Sequence, residues 1–184
     1  MLQSVDIVEQ TNPDIIDINF GCPVKKVVCK GAGAGILKDI DKMEMLTREM
    51  VKRTKLPVTV KTRLGWDEKS IKIIEVAERI QDAGAKAITI HGRTRAQMYK
   101  GFADWAPIAE VKNNPRMNIP VFGNGDVNSP EKAVEMRDKY GLDGAMIGRA
   151  SIGNPWFFNH VKHYFKTAEY LPFPMINERI DMAR

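Results

Sequence analysis

The chain of 184 residues is long enough for one domain with its own hydrophobic core, because 43% of its residues are hydrophobic. A charged fraction of 28% without low-complexity segments excludes an intrinsically disordered chain. The longest apolar runs are only a few residues, which excludes a membrane-spanning helix. The net charge of +5 is compatible with a polyanionic partner but does not identify one.

The chain contains two cysteines, Cys22 and Cys29, with lysines between them. Two thiols in a basic loop indicate a reduced, intracellular protein rather than a disulfide, and no signal peptide opens the sequence. We therefore predict a cytoplasmic protein. A zinc site needs more ligands near the cysteines, so no metal centre is expected. The histidines lie elsewhere, at His91, His160 and His163.

Short apolar segments alternate with helical patterns along the chain, which is typical of α/β architecture. An amphipathic segment at residues 2–10 comes first. Strands are then predicted at residues 15–20, 58–63, 87–91, 120–123 and 144–148. The helices predicted between them cover residues 39–55, 68–83, 105–112 and 130–140. Pro172 and Pro174 indicate a linker, and residues 177–184 start a further helix.

Residues at the helix ends support these boundaries. Asp39 and Ser129 are suitable N-caps, because their side-chain oxygens can accept a hydrogen bond from an early backbone N–H. Gly84 and Gly141 are suitable at the carboxyl ends, because glycine adopts the left-handed conformation that closes many helices. The strands are apolar on both faces, which predicts parallel strands covered by helices.

Polar side chains follow nearly every predicted strand at its carboxyl end. They are Asn19 with Cys22, Lys61 with Arg63, His91 with Arg93, Asn124 with Asp126, and Arg149. A doubly wound sheet binds its ligand at one switch point, whereas a TIM (β/α)₈ barrel collects functional groups from many strand ends. The pattern favours the barrel, and the doubly wound sheet is the alternative. A whole barrel has eight units and about 250 residues, so about five visible units predict a truncated, partial barrel.

Five sequence motifs resemble those of one enzyme family. They are Asp17-Ile-Asn-Phe-Gly-Cys-Pro23, Val58-Thr-Val-Lys-Thr-Arg63, Ile88-Thr-Ile-His-Gly-Arg-Thr-Arg95, Phe122-Gly-Asn-Gly-Asp126 and Met146-Ile-Gly-Arg-Ala150. In order and spacing, over nearly the whole chain, they resemble the tRNA-dihydrouridine synthases and look most like the bacterial B-type branch. The resemblance implies a TIM barrel that carries FMN and reduces a uridine of tRNA with NADPH. It also implies a carboxy-terminal helical domain that binds tRNA.

Relative to that family, the chain is expected to hold barrel strands 4 to 8. Residues 1–170 are predicted to form a partial FMN-binding catalytic barrel, and residues 171–184 the linker and the start of the helical tRNA-binding domain. The first three β-α units would be missing, together with a Pro-Met segment and a glutamine that contact the flavin. We also expect a monomer with no membrane association.

Cys22 is the predicted catalytic residue. Reduction of the C5=C6 bond of uracil requires a hydride at C6 and a proton at C5, and a thiol with an ordinary pKa of about 8.5 is protonated at neutral pH. The resemblance implies that the flavin gives the hydride, and it places the family's proton donor at Cys22. From the residues alone, a buried structural cysteine is an equal alternative. Cys29 has no corresponding role.

The resemblance also implies a set of FMN ligands. A lysine at a strand end can stabilise the negative charge of reduced flavin, and Lys61 has that position. His91 is a second implied flavin contact, with a histidine of the core as the alternative. The ends of the last two strands are where barrels commonly bind phosphate. The predicted cofactor-binding residues are Lys61, His91, Asn124, Gly125, Asp126, Gly148 and Arg149.

Side chains near the same strand ends are predicted to contact tRNA, with salt-dependent binding. They are Asn19, Lys25, Lys26, Lys30, Arg63, Arg93 and Arg95. Trp66 or Tyr99 could touch a base, although local packing is the more common role of a loop aromatic. The glycine run at residues 31–35 matches neither the dinucleotide nor the P-loop motif and is expected to pack closely against backbone.

Two other functions are compatible with the sequence. The first is a flavin-dependent dehydrogenase of free pyrimidines, of the dihydroorotate or dihydropyrimidine type. The lysine-rich loop after Cys22 favours RNA over a free base. The second is a truncated RNA-binding module without catalytic activity.

Overall fold

In the computed structural model, residues 2–183 are described and form a parallel five-stranded sheet with helices packed on it. The strands are β1 (Ile16–Asn19), β2 (Val58–Arg63), β3 (Ala87–His91), β4 (Val121–Asn124) and β5 (Gly144–Met146). The helices are α1 (Leu2–Glu9), α2 (Lys25–Val28), α3 (Ile40–Arg53), α4 (Ile73–Asp82), α5 (Ala106–Asn113), α6 (Pro130–Tyr140), α7 (Phe157–Thr167) and α8 (Ile176–Ala183). The predicted alternation of strands and helices is confirmed.

The order of the strands decides between the two predicted architectures. Every strand pairs in parallel with the next strand along the chain, in the order β1-β2-β3-β4-β5. A doubly wound sheet would instead place later strands on the other side of the first. The sequential order is that of a TIM barrel, and this sheet is an open part of one, with β1 and β5 at its edges.

The predicted caps explain several helix boundaries. The carboxylate of Asp39 accepts a hydrogen bond from the backbone N–H of Lys42 at 3.0 Å, and α3 begins at Ile40, directly after Asp39. The hydroxyl of Ser129 accepts a hydrogen bond from the N–H of Lys132 at 3.2 Å, and α6 begins at Pro130, directly after Ser129. Helix α6 ends at Gly141, whose φ of 63° lies in the left-handed region.

The helix predicted at residues 68–83 is shorter in the structure. Its first residues form a single 3-10 turn, Glu68–Ser70, and α4 begins only at Ile73. The physical reason is an isolated antiparallel bridge between Gly65 and Ile71, which draws the backbone into an extended path between the turn and the helix. Hydrophobic periodicity alone does not reveal such a bridge.

Smaller differences occur towards the carboxyl end. Strand β5 ends at Met146, two residues earlier than predicted. Helix α8 begins at Ile176, and residue 184 of the predicted helix lies outside the described residues. His160 and His163 lie on α7 and are half-buried.

The two faces of the sheet differ in chemistry. Val60, Ile88 and Ile90 are fully buried in the hydrophobic core. Lys61 and Arg63 alternate with the buried residues of β2, so they lie on the opposite face. The prediction that the strands are apolar on both faces is therefore wrong for this concave face, which carries the polar groups of the candidate site.

Candidate active site

The carboxyl ends of all five strands border one open cavity of about 1080 Å³. Most of the predicted site residues line it, so the structure brings them together. They are Asn19, Cys22, Lys61, Arg63, His91, Arg93, Asn124, Gly125, Asp126, Gly148 and Arg149. The predicted tRNA contacts Lys25, Lys26, Lys30 and Arg95 lie outside this lining.

The register of the strands explains why these side chains meet. Lys61 of β2 lies opposite Asn19 of β1. Arg63, His91 and Asn124 occupy neighbouring positions on β2, β3 and β4. Residues in register on parallel strands lie side by side and point to the same face of the sheet. Two rows of polar groups therefore cross the concave face near the strand ends.

Lys61 is a half-buried cation without an internal partner. Within residues 2–183, its ammonium group has no hydrogen bond or ion pair. Burial lowers the pKa of Lys61 and the charge of Arg63 lowers it further, while Asp17 opposes these effects. A desolvated cation is stabilised by an anionic ligand. The position therefore suits the predicted contact with a negatively charged cofactor.

His91 is buried beside several cations. Burial lowers the pKa of His91, and the nearby charges of Arg63, Lys61 and Arg93 bring it to about 3. The imidazole is therefore neutral at physiological pH. Its Nδ1 is buried and has no hydrogen-bond partner among the described residues. Because buried polar atoms are normally paired, His91 is not a histidine satisfied within the core, and its ring lines the cavity.

The loop that carries Cys22 is held by close backbone packing. The side-chain oxygen of Asn19 accepts a hydrogen bond from the N–H of Gly21 at 2.9 Å. The carbonyl of Cys22 accepts one from the N–H of Ala34 at 2.9 Å. Gly33 has a φ of 53°, and a Cβ there would lie 2.7 Å from that same carbonyl oxygen. The packing role expected for the glycine run is confirmed at Gly33 and Gly35, but no atom lies within 4 Å of a Cβ at Gly31. This packing fixes the half-buried thiol at the cavity wall.

Arg63 joins the loops that follow β1 and β3. Its side chain is buried, with Nε donating to the carbonyl of Gly21 at 2.8 Å. Its Nη1 donates to the carbonyls of Thr94 at 3.0 Å and Met98 at 2.9 Å. A buried guanidinium engaged by backbone carbonyls does not suit the predicted contact with a tRNA phosphate.

Asp126 links the loops that follow β3, β4 and β5. Its carboxylate accepts hydrogen bonds from Nη2 of Arg93 at 2.9 and 2.7 Å, and from Nη2 of Arg149 at 3.0 Å. The backbone N–H of Ala103 donates a further bond at 2.7 Å. Burial raises the pKa of Asp126, but these hydrogen bonds and charges outweigh burial and lower it. They also hold its backbone at a φ of 58°, which is uncommon for a residue with a side chain.

Arg93 is therefore a partner of Asp126 rather than a surface cation. It is 2% exposed and also donates to the carbonyls of Lys100 at 3.1 Å and Gly101 at 2.6 Å. This geometry does not suit the predicted contact of Arg93 with tRNA. The carboxylate of Asp126, which was predicted to bind the cofactor, already accepts hydrogen bonds from protein groups. No sequence pattern indicates the pair, because its members are 33 residues apart.

The ends of β4 and β5 contain both engaged and open positions. Nδ2 of Asn124 donates to a backbone carbonyl of β5 at 2.8 Å. Gly125 is buried, and its carbonyl accepts a bond from the indole N–H of Trp105 at 3.1 Å. No atom lies within 4 Å of the position that a Cβ would take at Gly148, and Arg149 is exposed. Gly148 and Arg149 are thus the predicted phosphate ligands with room for an anion.

Aromatic side chains beside the cavity interact with cations. The Trp66 ring has the ammonium of Lys38 3.8 Å and the guanidinium of Arg95 4.6 Å from its centroid. Tyr99 is exposed, with the guanidinium groups of Arg63 and Arg149 at 5.9 and 5.5 Å. Local packing, the more common role, therefore applies to Trp66 more than to Tyr99. The predicted tRNA contacts Lys25, Lys26 and Lys30 are exposed and lie outside the cavity lining.

Some residues that line the cavity were not predicted from the sequence. They include Val24, Phe102, Lys132 and Met146. The sequence could have indicated Lys132, because it lies in the first turn of α6, which begins directly after the predicted N-cap Ser129. Helices that follow barrel strands begin at the active-site end, so their first residues are candidates for ligand contact.

Residues 2–183 include no helix that is both long and apolar enough to cross a membrane. In the same part of the chain, no group of three or more histidine, cysteine, aspartate or glutamate residues is placed to hold a metal ion.

Comparison with known proteins identifies the family. The sequence model of the dihydrouridine synthases matches residues 1–184. The chain belongs to the dihydrouridine synthase family. It is 43% identical over 169 residues to the tRNA-dihydrouridine synthase B of Pseudomonas putida and 43% identical over 169 residues to that of Vibrio vulnificus. Each match covers 92% of this family member but only 50% and 52% of the relatives, so the chain spans about half their length.

Two solved structures of TIM-barrel type resemble this dihydrouridine synthase family member in fold. A protein described as a candidate phosphonomutase of Burkholderia cenocepacia has a TM-score of 0.59 at 16% identity, covering 98% of this chain and 80% of its own. YagE of Escherichia coli, of the dihydrodipicolinic acid synthase family, has a TM-score of 0.51 at 15% identity, covering 75% and 44%. At such low identity, the similarity concerns the fold alone.

Proposed function

We propose that this chain is the FMN- and tRNA-binding part of a tRNA-dihydrouridine synthase. The reaction is the reduction of the C5=C6 bond of a uridine in tRNA, with NADPH as the reductant. Family membership supports the reaction class. The observation that carries the proposal is a single cavity lined by the thiol of Cys22, the unpartnered ammonium of Lys61 and the neutral His91. All three lie at or just after the carboxyl ends of parallel strands, where barrel enzymes place their active sites.

The residues of the cavity suit an anionic flavin. Lys61 lacks an internal partner in the described structure, and a negative charge beside it would offset its desolvation. His91 lines the cavity as a neutral ring, so it can contact the flavin without adding charge. Gly148 provides space and Arg149 a bidentate donor for a phosphate group. Bound FMN, after reduction by NADPH, would supply the hydride that the uracil receives at C6.

Cys22 delivers the proton to C5 in this proposal. Its loop is fixed by backbone hydrogen bonds, so the thiol is held where a bound base can come within hydrogen-bond reach. The oxygen of Asn19 is engaged by Gly21, which leaves the amide N–H groups of Asn19 to donate to a carbonyl of the base. Proton transfer leaves a thiolate, and the positive charge of Arg63 interacts with this group.

The division of the chain belongs to the same proposal. Residues 1–170 form the partial catalytic barrel, and residues 171–184 form a linker and the start of a helical tRNA-binding domain. The exposed side chains of Phe173, Met175 and Ile176 are compatible with packing against further helices. The exposed lysines Lys25, Lys26 and Lys30 would neutralise tRNA phosphates.

The test compares Cys22→Ala with the matched control Cys29→Ala in the full chain supplied with FMN, NADPH and unmodified tRNA. Dihydrouridine in the digested tRNA is measured by mass spectrometry. We expect Cys22→Ala to reduce the rate by about 10²–10⁴-fold, the range for losing a general acid, and Cys29→Ala to leave it unchanged. An active Cys22→Ala variant would contradict the role of this thiol. Reduction of free uracil as readily as tRNA, or no FMN binding and no reduction by the wild-type chain, would overturn the proposed function.

A further inference from the structure

The rim of the cavity carries an aromatic and apolar patch, formed by Met98, Tyr99 and Phe102, that the proposed reaction does not use. Phe102 is 90% exposed although it lines the mouth of the cavity. Met98 and Tyr99 are exposed on the same loop. Single exposed apolar side chains are ordinary, but three on one loop beside a cavity are a candidate contact surface.

The backbone on both sides of Phe102 is held in place. The carbonyl of Gly101 accepts a hydrogen bond from the buried Arg93 at 2.6 Å. The N–H of Ala103 donates to the carboxylate of Asp126 at 2.7 Å. Both bonds are made to members of one ion pair, Arg93 with Asp126, and they fix the backbone before and after Phe102. The ring is therefore presented to solvent from a fixed backbone, and a partner can bind it with little loss of conformational entropy.

The charge around the rim indicates the chemistry of that partner. The side chains that line the cavity include five cations but one carboxylate. They are Lys61, Arg63, Arg93, Lys132 and Arg149, with Asp126. Arg63 and Arg93 are buried, so the positive charge accessible to a phosphate comes from Lys61, Lys132 and Arg149. A flat apolar ring amid positive charge suits single-stranded nucleic acid, because bases stack on aromatic rings and phosphates pair with cations. A protein partner would have to supply the apolar surface and the negative charge from separate side chains.

We infer that Phe102 is a preformed stacking platform for an unstacked base of the RNA substrate, next to the uridine that enters the cavity. The inference rests on the proposed function. An enzyme that acts on a base must take it out of its stack, which costs stacking energy. The neighbouring base then lacks one stacking partner, and contact with Phe102 replaces it. Phe102 thereby assists binding of the opened RNA without touching the reacting atoms.

The experiment measures the binding of an unmodified tRNA transcript to the full chain by fluorescence anisotropy. The variants are Phe102→Ala, Phe102→Trp and the control Phe158→Ala. Phe158 is 46% exposed on α7 and does not line the cavity. We expect Phe102→Ala to raise the Kd by about tenfold, within the range for loss of one base–aromatic stack. Phe102→Trp should bind as the wild type does, with its added indole fluorescence quenched by tRNA, and Phe158→Ala should have no effect.

A fully base-paired RNA of similar length separates stacking from general RNA affinity. It has no unstacked internal base, so wild type and Phe102→Ala should bind it equally well. Equal binding of tRNA by these two proteins would overturn the inference and leave the proposed function intact. The inference would also be overturned if Phe102→Ala weakened the binding of both RNAs equally. It would be overturned as well if the wild type formed a dimer that this substitution dissociates. Absence of tRNA binding by the wild-type chain would contradict the proposed function as well.

Discussion

Arg93 and Arg149 bind the same carboxylate, that of Asp126, in different environments. The side chain of Arg93 is 3% exposed, whereas that of Arg149 is 61% exposed. The pair allows a matched test of how burial sets the strength of an ion pair. Methionine removes either charge while it keeps a long, flexible side chain. We expect Arg93→Met to destabilise the protein strongly and Arg149→Met to be nearly neutral.

The magnitudes follow from the hydrogen bonds that each variant removes. Arg93→Met removes two bonds to Asp126 and one each to the carbonyls of Lys100 and Gly101. Breaking a buried ion pair costs about 3–5 kcal/mol of stability. Asp126 keeps other hydrogen-bond donors and is partly exposed, so the lower end, about 3 kcal/mol, is expected. Arg149→Met breaks one exposed pair, which contributes less than about 1 kcal/mol.

Urea denaturation followed by circular dichroism at neutral pH gives both free energies of unfolding. Asp126→Asn in the wild-type and Arg93→Met backgrounds completes a double-mutant cycle. We expect the two losses to be non-additive, because both substitutions break the same pair. Equal destabilisation by Arg93→Met and Arg149→Met, or a loss below about 1 kcal/mol for Arg93→Met, would refute the argument from burial.

Two further predictions concern the unpaired groups of the cavity. The pKa of His91 is lowered to about 3 in the folded protein, whereas an unperturbed histidine has about 6.5, so the unfolded state binds more protons between these values. The free energy of unfolding should therefore fall by about 2 kcal/mol between pH 7 and pH 5 in wild type. Urea unfolding at a series of pH values measures this slope, and an equal slope in His91→Gln would contradict it. Burial lowers the pKa of Lys61 and so disfavours its charged form, hence Lys61→Met should raise the free energy of unfolding. The same variant should weaken FMN binding, measured by quenching of flavin fluorescence, by about tenfold or more. A less stable Lys61→Met variant would show that the ammonium stabilises the fold.

The strand and helix pattern was predictable because its signals are local. Strands β2 and β3 have the predicted bounds, 58–63 and 87–91, since each is a short segment rich in valine, isoleucine and threonine, residues that favour strands. Asp39 and Ser129 cap their helices as predicted, because an N-cap bond joins residues only three apart. The start of α4 was mispredicted because it depends on a bridge outside the helix itself.

The residues of the candidate site were predictable as a set but not in their individual states. Position at a strand end brought Lys61 and His91 to the cavity, as the barrel interpretation requires. Arg63 and Arg93 occupy equivalent positions, but they are buried clamps between loops. The carbonyl partners of Arg63 are up to 42 residues away along the chain, so no local pattern distinguishes it from an exposed cation.

The sequence by itself determined the family resemblance, the alternation of strands and helices and the set of side chains at the strand ends, because each depends on residues close together in the chain. Only the tertiary structure decided which of those side chains remain available to a ligand. Desolvation and hydrogen bonding depend on contacts between distant segments, and these contacts leave Lys61 unpaired. They join Arg93 to Asp126, and through that pair they hold the backbone from which Phe102 projects.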